Sequence, residues 1–220
     1  MKNIEELMLF INMEKEELEA IKKNVSKKTY EKQEIIMMEG EEGDSVYIIL
    51  EGFVKVFKTE SDGREKILKF LSAGDLFGEM ALIDGHFRSA SVQAVKRTTM
   101  YVIERNKFNG LINKYPQIAL KIIFVLSERL REANDEITNL AFKSVEERLF
   151  FELKKLGETF GIKKDDGVWI SEKITHQELA ELIGTTRETI TKYLGKMLEE
   201  GTIKMKEKHI FLPRYKFDGE

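Results

Sequence analysis

The sequence predicts an α+β chain in three successive parts: a β-roll of jelly-roll type, a long helix, and a winged helix-turn-helix. Three patterns carry this expectation. Short β-rich runs alternate with turn signals between residues 29 and 105. An apolar stripe then recurs at alternating steps of four and three over residues 119–140. Two helical segments joined at Gly184 follow, with an alternating, lysine-rich tail behind them. The expected boundaries are 1–112 for the roll with its N-terminal helices, 113–142 for the linking helix, and 143–220 for the last unit.

The totals narrow the function classes. Apolar residues make up 42% of the 220, enough for a packed core and too many for a disordered chain. The chain has no cysteine, which excludes disulfides, thiol nucleophiles and thiolate-held zinc or iron–sulfur sites. The three histidines, His86, His176 and His209, are far apart in sequence and suggest no metal site. The N-terminus is charged and does not read as a secretion signal, and no apolar run is long enough to cross a membrane, so the expected compartment is the cytoplasm. Net charge is −3, but residues 187–216 carry eight basic and four acidic side chains, a local excess of +4. A local basic face can hold phosphate whatever the total charge.

Residues 1–28 mix apolar and charged positions at spacings of three and four and are expected to be helical. The strand runs that follow are Ser45-Val46-Tyr47-Ile48-Ile49-Leu50, Phe53-Val54-Lys55-Val56-Phe57, Ile67-Leu68-Lys69-Phe70-Leu71, Ser89-Ala90-Ser91-Val92-Gln93-Ala94 and Thr98-Thr99-Met100-Tyr101-Val102-Ile103. Asp62-Gly63 between two of them is a hairpin signal. Residues 107–142 contain the long helix. Its stripe is Ala119, Ile123, Leu126, Leu130, Ala133, Ile137 and Leu140, an a/d seam over three heptads. A narrow seam of period 3.5 suits a partner helix better than the chain's own barrel, and the simplest partner is a second copy, a homodimer. Asn134 sits beside the seam, placed to reach the other subunit's barrel. In the last part, helical patterns over 144–156 and 175–200 precede a hairpin centred on Glu207-Lys208.

Thr175-His176-Gln177-Glu178 reads as a capping box opening a helix whose inner face is Leu179, Ala180 and Ile183. Gly184 ends it, and Thr185 is expected to begin a second helix with Ile190, Leu194, Met197 and Leu198 inward. In a helix-turn-helix the start of the second helix enters the major groove of double-stranded DNA. The candidate DNA-binding residues are therefore Thr175, Thr185, Thr186, Arg187, Glu188, Thr191 and Lys192. Arg187 can donate two hydrogen bonds to guanine and Glu188 can accept from cytosine, whereas the threonines and wing lysines suit phosphates. Thr185 and Glu188 also fit a second capping box, in which Glu188 serves only the helix start.

The run Gly74-Asp75-Leu76-Phe77-Gly78-Glu79-Met80-Ala81-Leu82, followed by Arg88-Ser89-Ala90, has the make-up of an anion pocket. Gly78 lets a ligand approach the backbone, Arg88 can clamp a phosphate, Ser89 adds a hydroxyl, and Glu79 can accept from a ribose. The alternative is a structural Arg88–Glu79 pair tying two barrel segments together.

On these motifs the sequence resembles the CRP/FNR family of bacterial regulators along nearly its whole length. Gly40-x-x-Gly43-Asp44-Ser45-Val46-Tyr47 with Gly52 resembles the early signature of the cyclic-nucleotide barrel. Gly78-Glu79 with Arg88-Ser89-Ala90 resembles the phosphate-binding cassette, and Gly184-Thr185-Thr186-Arg187-Glu188-Thr189 the DNA-reading segment. The resemblance implies a cyclic-nucleotide-binding β-roll, a dimerisation helix and palindromic sites near promoters, where RNA polymerase would be a further partner. It implies an effector site of Gly78, Glu79, Met80, Ala81, Arg88, Ser89 and Asn134, with no cofactor required. Two positions depart from the family's pattern. Lys192 stands where cAMP-receptor members usually have arginine. Ala133-Asn134 stands where cAMP-responsive members usually place Thr-Ser against the adenine. The phosphate end of the site is thus kept and the base end changed, which leaves cAMP, cGMP, another anionic metabolite, or an effector-independent regulator with a vestigial pocket. An enzyme is not expected: no cysteine, clustered histidine or acidic metal site accompanies Arg88.

Overall fold

Residues 45–50 are all buried, although a strand facing a single core would bury every second side chain. The computed structural model, which describes residues 2–214, explains this by two cores. Strand β3 (Ser45–Glu51) lies inside an antiparallel sheet with β1 (Ser26–Tyr30), β6 (Leu76–Phe77) and β8 (Thr98–Glu104), in the order β1-β8-β3-β6. A second antiparallel sheet is formed by β2 (Ile35–Met37), β4 (Phe53–Thr59), β5 (Glu65–Ser72) and β7 (Ser91–Ala94), in the order β2-β7-β4-β5. Tyr47 and Ile49 meet the second sheet's Val54, Leu71 and Val92 in one core. Val46, Ile48 and Leu50 face the other way, into a core with the N-terminal segment and helical residues Phe108, Ile118 and Ile122. The β4–β5 hairpin turns at Gly63, whose φ of +86° suits glycine.

The expected N-terminal helix is replaced by two 3₁₀ turns, Ile4–Glu6 and Met8–Phe10, and a short helix α1 (Lys15–Lys22), with β1 beginning at Ser26. The reason is geometric. Ile4, Leu7, Leu9, Phe10 and Met13 are all buried in one core, and an α-helix would point Leu7 and Leu9 to different sides. The 3₁₀ turns and a left-handed Asn12 (φ +62°) bring them together.

Helix α2 (Glu79–Asp84) follows β6, and α3 (Arg105–Lys114) follows β8. Pro116 interrupts the helical run, and α4 (Gln117–Phe142) begins behind it. Ile118 and Ile122 press α4 onto the roll. Leu126 is half-buried against the same core, but Ile123, Leu130, Ile137 and Leu140 are exposed, as are the flanking Leu120 and Phe124.

The chain divides into two compact units, Met1–Glu132 and Ala133–Glu220, and α4 runs through the division. In the second unit, Ser144 caps α5 (Val145–Phe160) by a box with Glu147. A hairpin absent from the sequence expectation, β9 (Gly161–Lys164) and β10 (Gly167–Ile170), precedes α6 (His176–Ile183) and α7 (Arg187–Glu199). The wing, β11 (Lys204–Lys206) and β12 (His209–Pro213), completes a sheet of order β11-β12-β10-β9. Leu149, Leu179, Ile183, Ile190, Leu194 and Met197 are buried, whereas Leu198, expected inside, is exposed. Lys216, counted in the basic excess, lies outside the described residues. Among the described residues no helix is long and apolar enough to cross a membrane.

Candidate functional site

In the first unit, Gly78 adopts φ +80° and forms the N-cap of α2. A Cβ there would lie 2.8 Å from Arg88 Nη1 and 3.2 Å from the Ser45 carbonyl oxygen, so only glycine fits without displacement. Arg88 is buried, 4% exposed. Its Nη1 donates to the Gly78 carbonyl at 2.8 Å and its Nη2 to the Ser45 carbonyl at 2.9 Å, with Asp44 at 3.5 Å. The guanidinium also lies over the Tyr47 ring, 5.8 Å from its centroid. Burial pushes the Tyr47 phenol up to about 12.

Arg88 does not pair with Glu79. The 1% exposed Glu79 side chain is bonded instead by Arg129 from α4, which also donates to the Leu76 carbonyl. Glu79 Oε1 is therefore satisfied, while Oε2 is buried without a hydrogen-bond partner. An unsatisfied buried carboxylate oxygen suits a ligand hydroxyl, so the residues present fit a ribose-bearing anion at this point. Ala81 is buried, Met80 and Ser89 are exposed, and the Ser89 hydroxyl lies 3.8 Å from the Met80 sulfur. Asn134 is exposed and belongs to the second unit. Sequence reading missed Arg129, because an arginine inside a charged helical run carries no mark of its partner.

In the second unit, Thr175 caps α6 as expected: its Oγ1 accepts from Glu178 N at 3.1 Å, and Glu178 accepts from Thr175 N at 2.7 Å. Gly184 takes the left-handed conformation (φ +75°) at the turn. The next helix starts later than expected. Thr186, not Thr185, is the N-cap, and its Oγ1 accepts from Thr189 N at 3.2 Å. Glu188 therefore takes no part in this cap. Arg187, Glu188, Thr191 and Lys192 are exposed in the first turns of α7, whose Ile190, Leu194 and Met197 are buried. Thr186 is exposed beside them and Thr185 is half-buried. A groove between α6, α7 and the wing is lined by Lys173, Thr175, His176, Gln177, Arg187 and Lys208. Lys173, His176, Gln177 and Lys208 were not among the individually expected contacts; only the folded wing brings Lys208 beside Arg187. Among the described residues, no cluster of three or more histidine, aspartate or glutamate side chains could hold a metal ion.

Comparison with known proteins agrees with both halves. Residues 27–115 match the cyclic nucleotide-binding domain model, and residues 148–216 match the Crp-like helix-turn-helix domain model. The chain is 34% identical to the cyclic AMP receptor protein of Thermus thermophilus, over 90% of this chain and 88% of that one. It is 28% identical to the CRP-like cAMP-activated global transcriptional regulator of Mycobacterium tuberculosis, over 93% and 91% of the respective lengths. The c-di-GMP responsive global regulator CLP of Xanthomonas campestris shares the fold, with a TM-score of 0.78 at 23% identity over 90% of this chain and 99% of that one. A nucleotide-type β-roll ahead of a helix-turn-helix, matched along nine-tenths of a relative, makes this chain a DNA-binding transcription regulator of the CRP/FNR family.

Proposed function

We propose that the chain acts in the cytoplasm as a homodimer that reads palindromic promoter DNA and is gated by a small anionic effector, with a cyclic nucleotide as the first candidate. The observation that carries the DNA reading is the surface of α7. Arg187, Glu188, Thr191 and Lys192 are exposed together in the first turns of α7, and Glu188 is not consumed by the helix cap. Arg187 reads guanine, Glu188 cytosine, and Lys192 a base or phosphate; each good base contact contributes about 1–3 kcal/mol of discrimination. Thr185 and Thr186 hold backbone phosphates, while Thr175, whose N–H and hydroxyl both donate to Glu178, serves the cap of α6. RNA polymerase is the partner at the promoter.

The dimer is supported by α4, whose Leu130 and Ile137 are 63% and 65% exposed, more than an isolated apolar helix face keeps in water. Pairing along Ala119, Ile123, Leu126, Leu130, Ala133, Ile137 and Leu140 covers that stripe. Two recognition helices then address half-sites about 34 Å apart.

Effector gating is supported by Glu79 Oε2, buried and lacking a donor, beside the Arg88 cassette. Arg88 is held in place by two backbone carbonyls and keeps further N–H donors for an anion. The effector must favour the active arrangement to shift the population. The same carbonyl bonds favour a second reading, an effector-independent regulator in which Arg88 is structural. Calorimetry with cAMP, cGMP and other nucleotide anions separates the two: heat lost in Arg88→Ala supports gating, and silence throughout supports the second reading. The DNA assignment is tested by selection from a randomised duplex library. Arg187→Ala is expected to lose preference at one base of each half-site, and an unchanged selected site would sink that role.

A further inference from the structure

His176 is the first residue of α6, and its Nδ1 lies 2.9 Å from Thr191 Oγ1 on α7. The Thr191 hydroxyl donates its one proton to the Arg187 carbonyl, also at 2.9 Å. It can therefore only accept from the imidazole, which puts a proton on Nδ1. Nε2 is the ring's other nitrogen, not engaged by Thr191. The half-buried ring lines the groove that also holds Arg187 from α7, Lys208 from the wing turn and Lys173 from the segment before α6. These charged neighbours are all cations. Of the two acids on its own helix, Glu178 is occupied by the Thr175 backbone and hydroxyl, each at 2.7 Å, and Glu181 accepts from the Gln177 amide at 2.8 Å.

We propose that His176 is a DNA-phosphate contact made by protonation, with Thr191 holding the ring so that Nε2–H faces the duplex. With a neutral ring, Nε2 is an acceptor and offers a phosphate nothing. With a charged ring it is a donor and a cation in a groove that already concentrates positive charge. Histidine is the side chain that makes this change near neutrality, so DNA affinity rises as pH falls through that range. Thr191 acts as a positioning residue, and it fixes His176 against the same turn of α7 that presents Arg187. The inference rests on the DNA-binding face proposed above.

The test uses the full chain and a fluorescently labelled duplex of mixed sequence, titrated with salt at about pH 8 and about pH 6, on either side of the histidine range. Each phosphate newly neutralised steepens the slope of log affinity against log salt by roughly 0.9. The wild-type slope is expected to steepen by about that much per chain at the lower pH. In His176→Gln the two slopes should coincide, and in His176→Arg they should coincide at the steeper value. Thr191→Val should reduce the increment, since the ring is no longer held. A wild-type slope that ignores pH, or an equal change in His176→Gln, overturns the inference while leaving the DNA face in place. An undiminished increment in Thr191→Val overturns the positioning role. Absence of duplex binding at either pH overturns the DNA face itself.

Discussion

Replacing Arg129 with methionine isolates the energetic role of the buried Glu79 carboxylate. The Glu79 side chain is 1% exposed and Arg129 is its ion-pair partner, while Oε2 already lacks a donor. Arg129→Met leaves a charge with no partner and no route to water, for which the cost is about 3–5 kcal/mol. Glu79→Gln is milder: it strands Arg129, whose side chain is 23% exposed and can recruit solvent, at about 1–3 kcal/mol. The double variant carries neither charge, so Glu79→Gln should restore stability to Arg129→Met rather than subtract from it. Against a total of roughly 5–15 kcal/mol for a domain, these differences are readily resolved. Urea unfolding followed by circular dichroism of the β-rich first unit is the appropriate assay, because the chain's one tryptophan, Trp169, lies in the second unit. A double variant less stable than Arg129→Met alone would refute the claim that an unpaired buried carboxylate is the source of the loss.

Other expectations follow from single residues. Gly78→Ala should lower stability by about 1–2 kcal/mol from left-handed strain plus a clash with Arg88, and by more than Gly85→Ala, whose φ of +73° is similar but whose surroundings are open; thermal melting of the pair checks this. Sedimentation equilibrium of the wild type should show dimers, and Leu130→Asp combined with Ile137→Asp should yield single chains. The two-residue wing turn holds Glu207 and Lys208 at φ +52° and +68°, which side chains other than asparagine and glycine adopt at a cost. Glu207→Asn should therefore stabilise the second unit by about 1 kcal/mol of relieved strain, seen as a higher melting temperature by Trp169 fluorescence. For Tyr47, whose phenol is raised to about 12 in the folded chain, the native state holds its proton more tightly than the unfolded state. Its contribution is thus intact below the ordinary tyrosine value of about 10 and is lost as pH rises above it. Tyr47→Phe should remove that part of the alkaline destabilisation, measured by urea midpoints across pH.

Much of the architecture was legible in advance because it is written locally. Short β-rich runs set between turn signals mark β3, β4, β5 and β8; Asp62-Gly63 marks a hairpin; the Thr175–Glu178 box and Gly184 mark the ends of α6. The exposed stripe on α4 is equally local, since it depends only on period. The errors came where local pattern competes with packing. The apolar N-terminus has helical spacing, but burying Leu7 and Leu9 in one core demands 3₁₀ turns. Thr185 and Thr186 are equivalent in sequence as caps, and the turn after Gly184 selects Thr186.

The order of parts, the glycine turns and the outward stripe were thus determined by the sequence alone, through periodicities and capping rules that act within a few residues. Tertiary structure alone decided which charged group meets which: Arg129 on Glu79, Arg88 on the Gly78 and Ser45 carbonyls, His176 on Thr191. Periodicity states which way a side chain faces, but its partner lies across a turn or on a distant strand, and only the closed chain brings the two within reach.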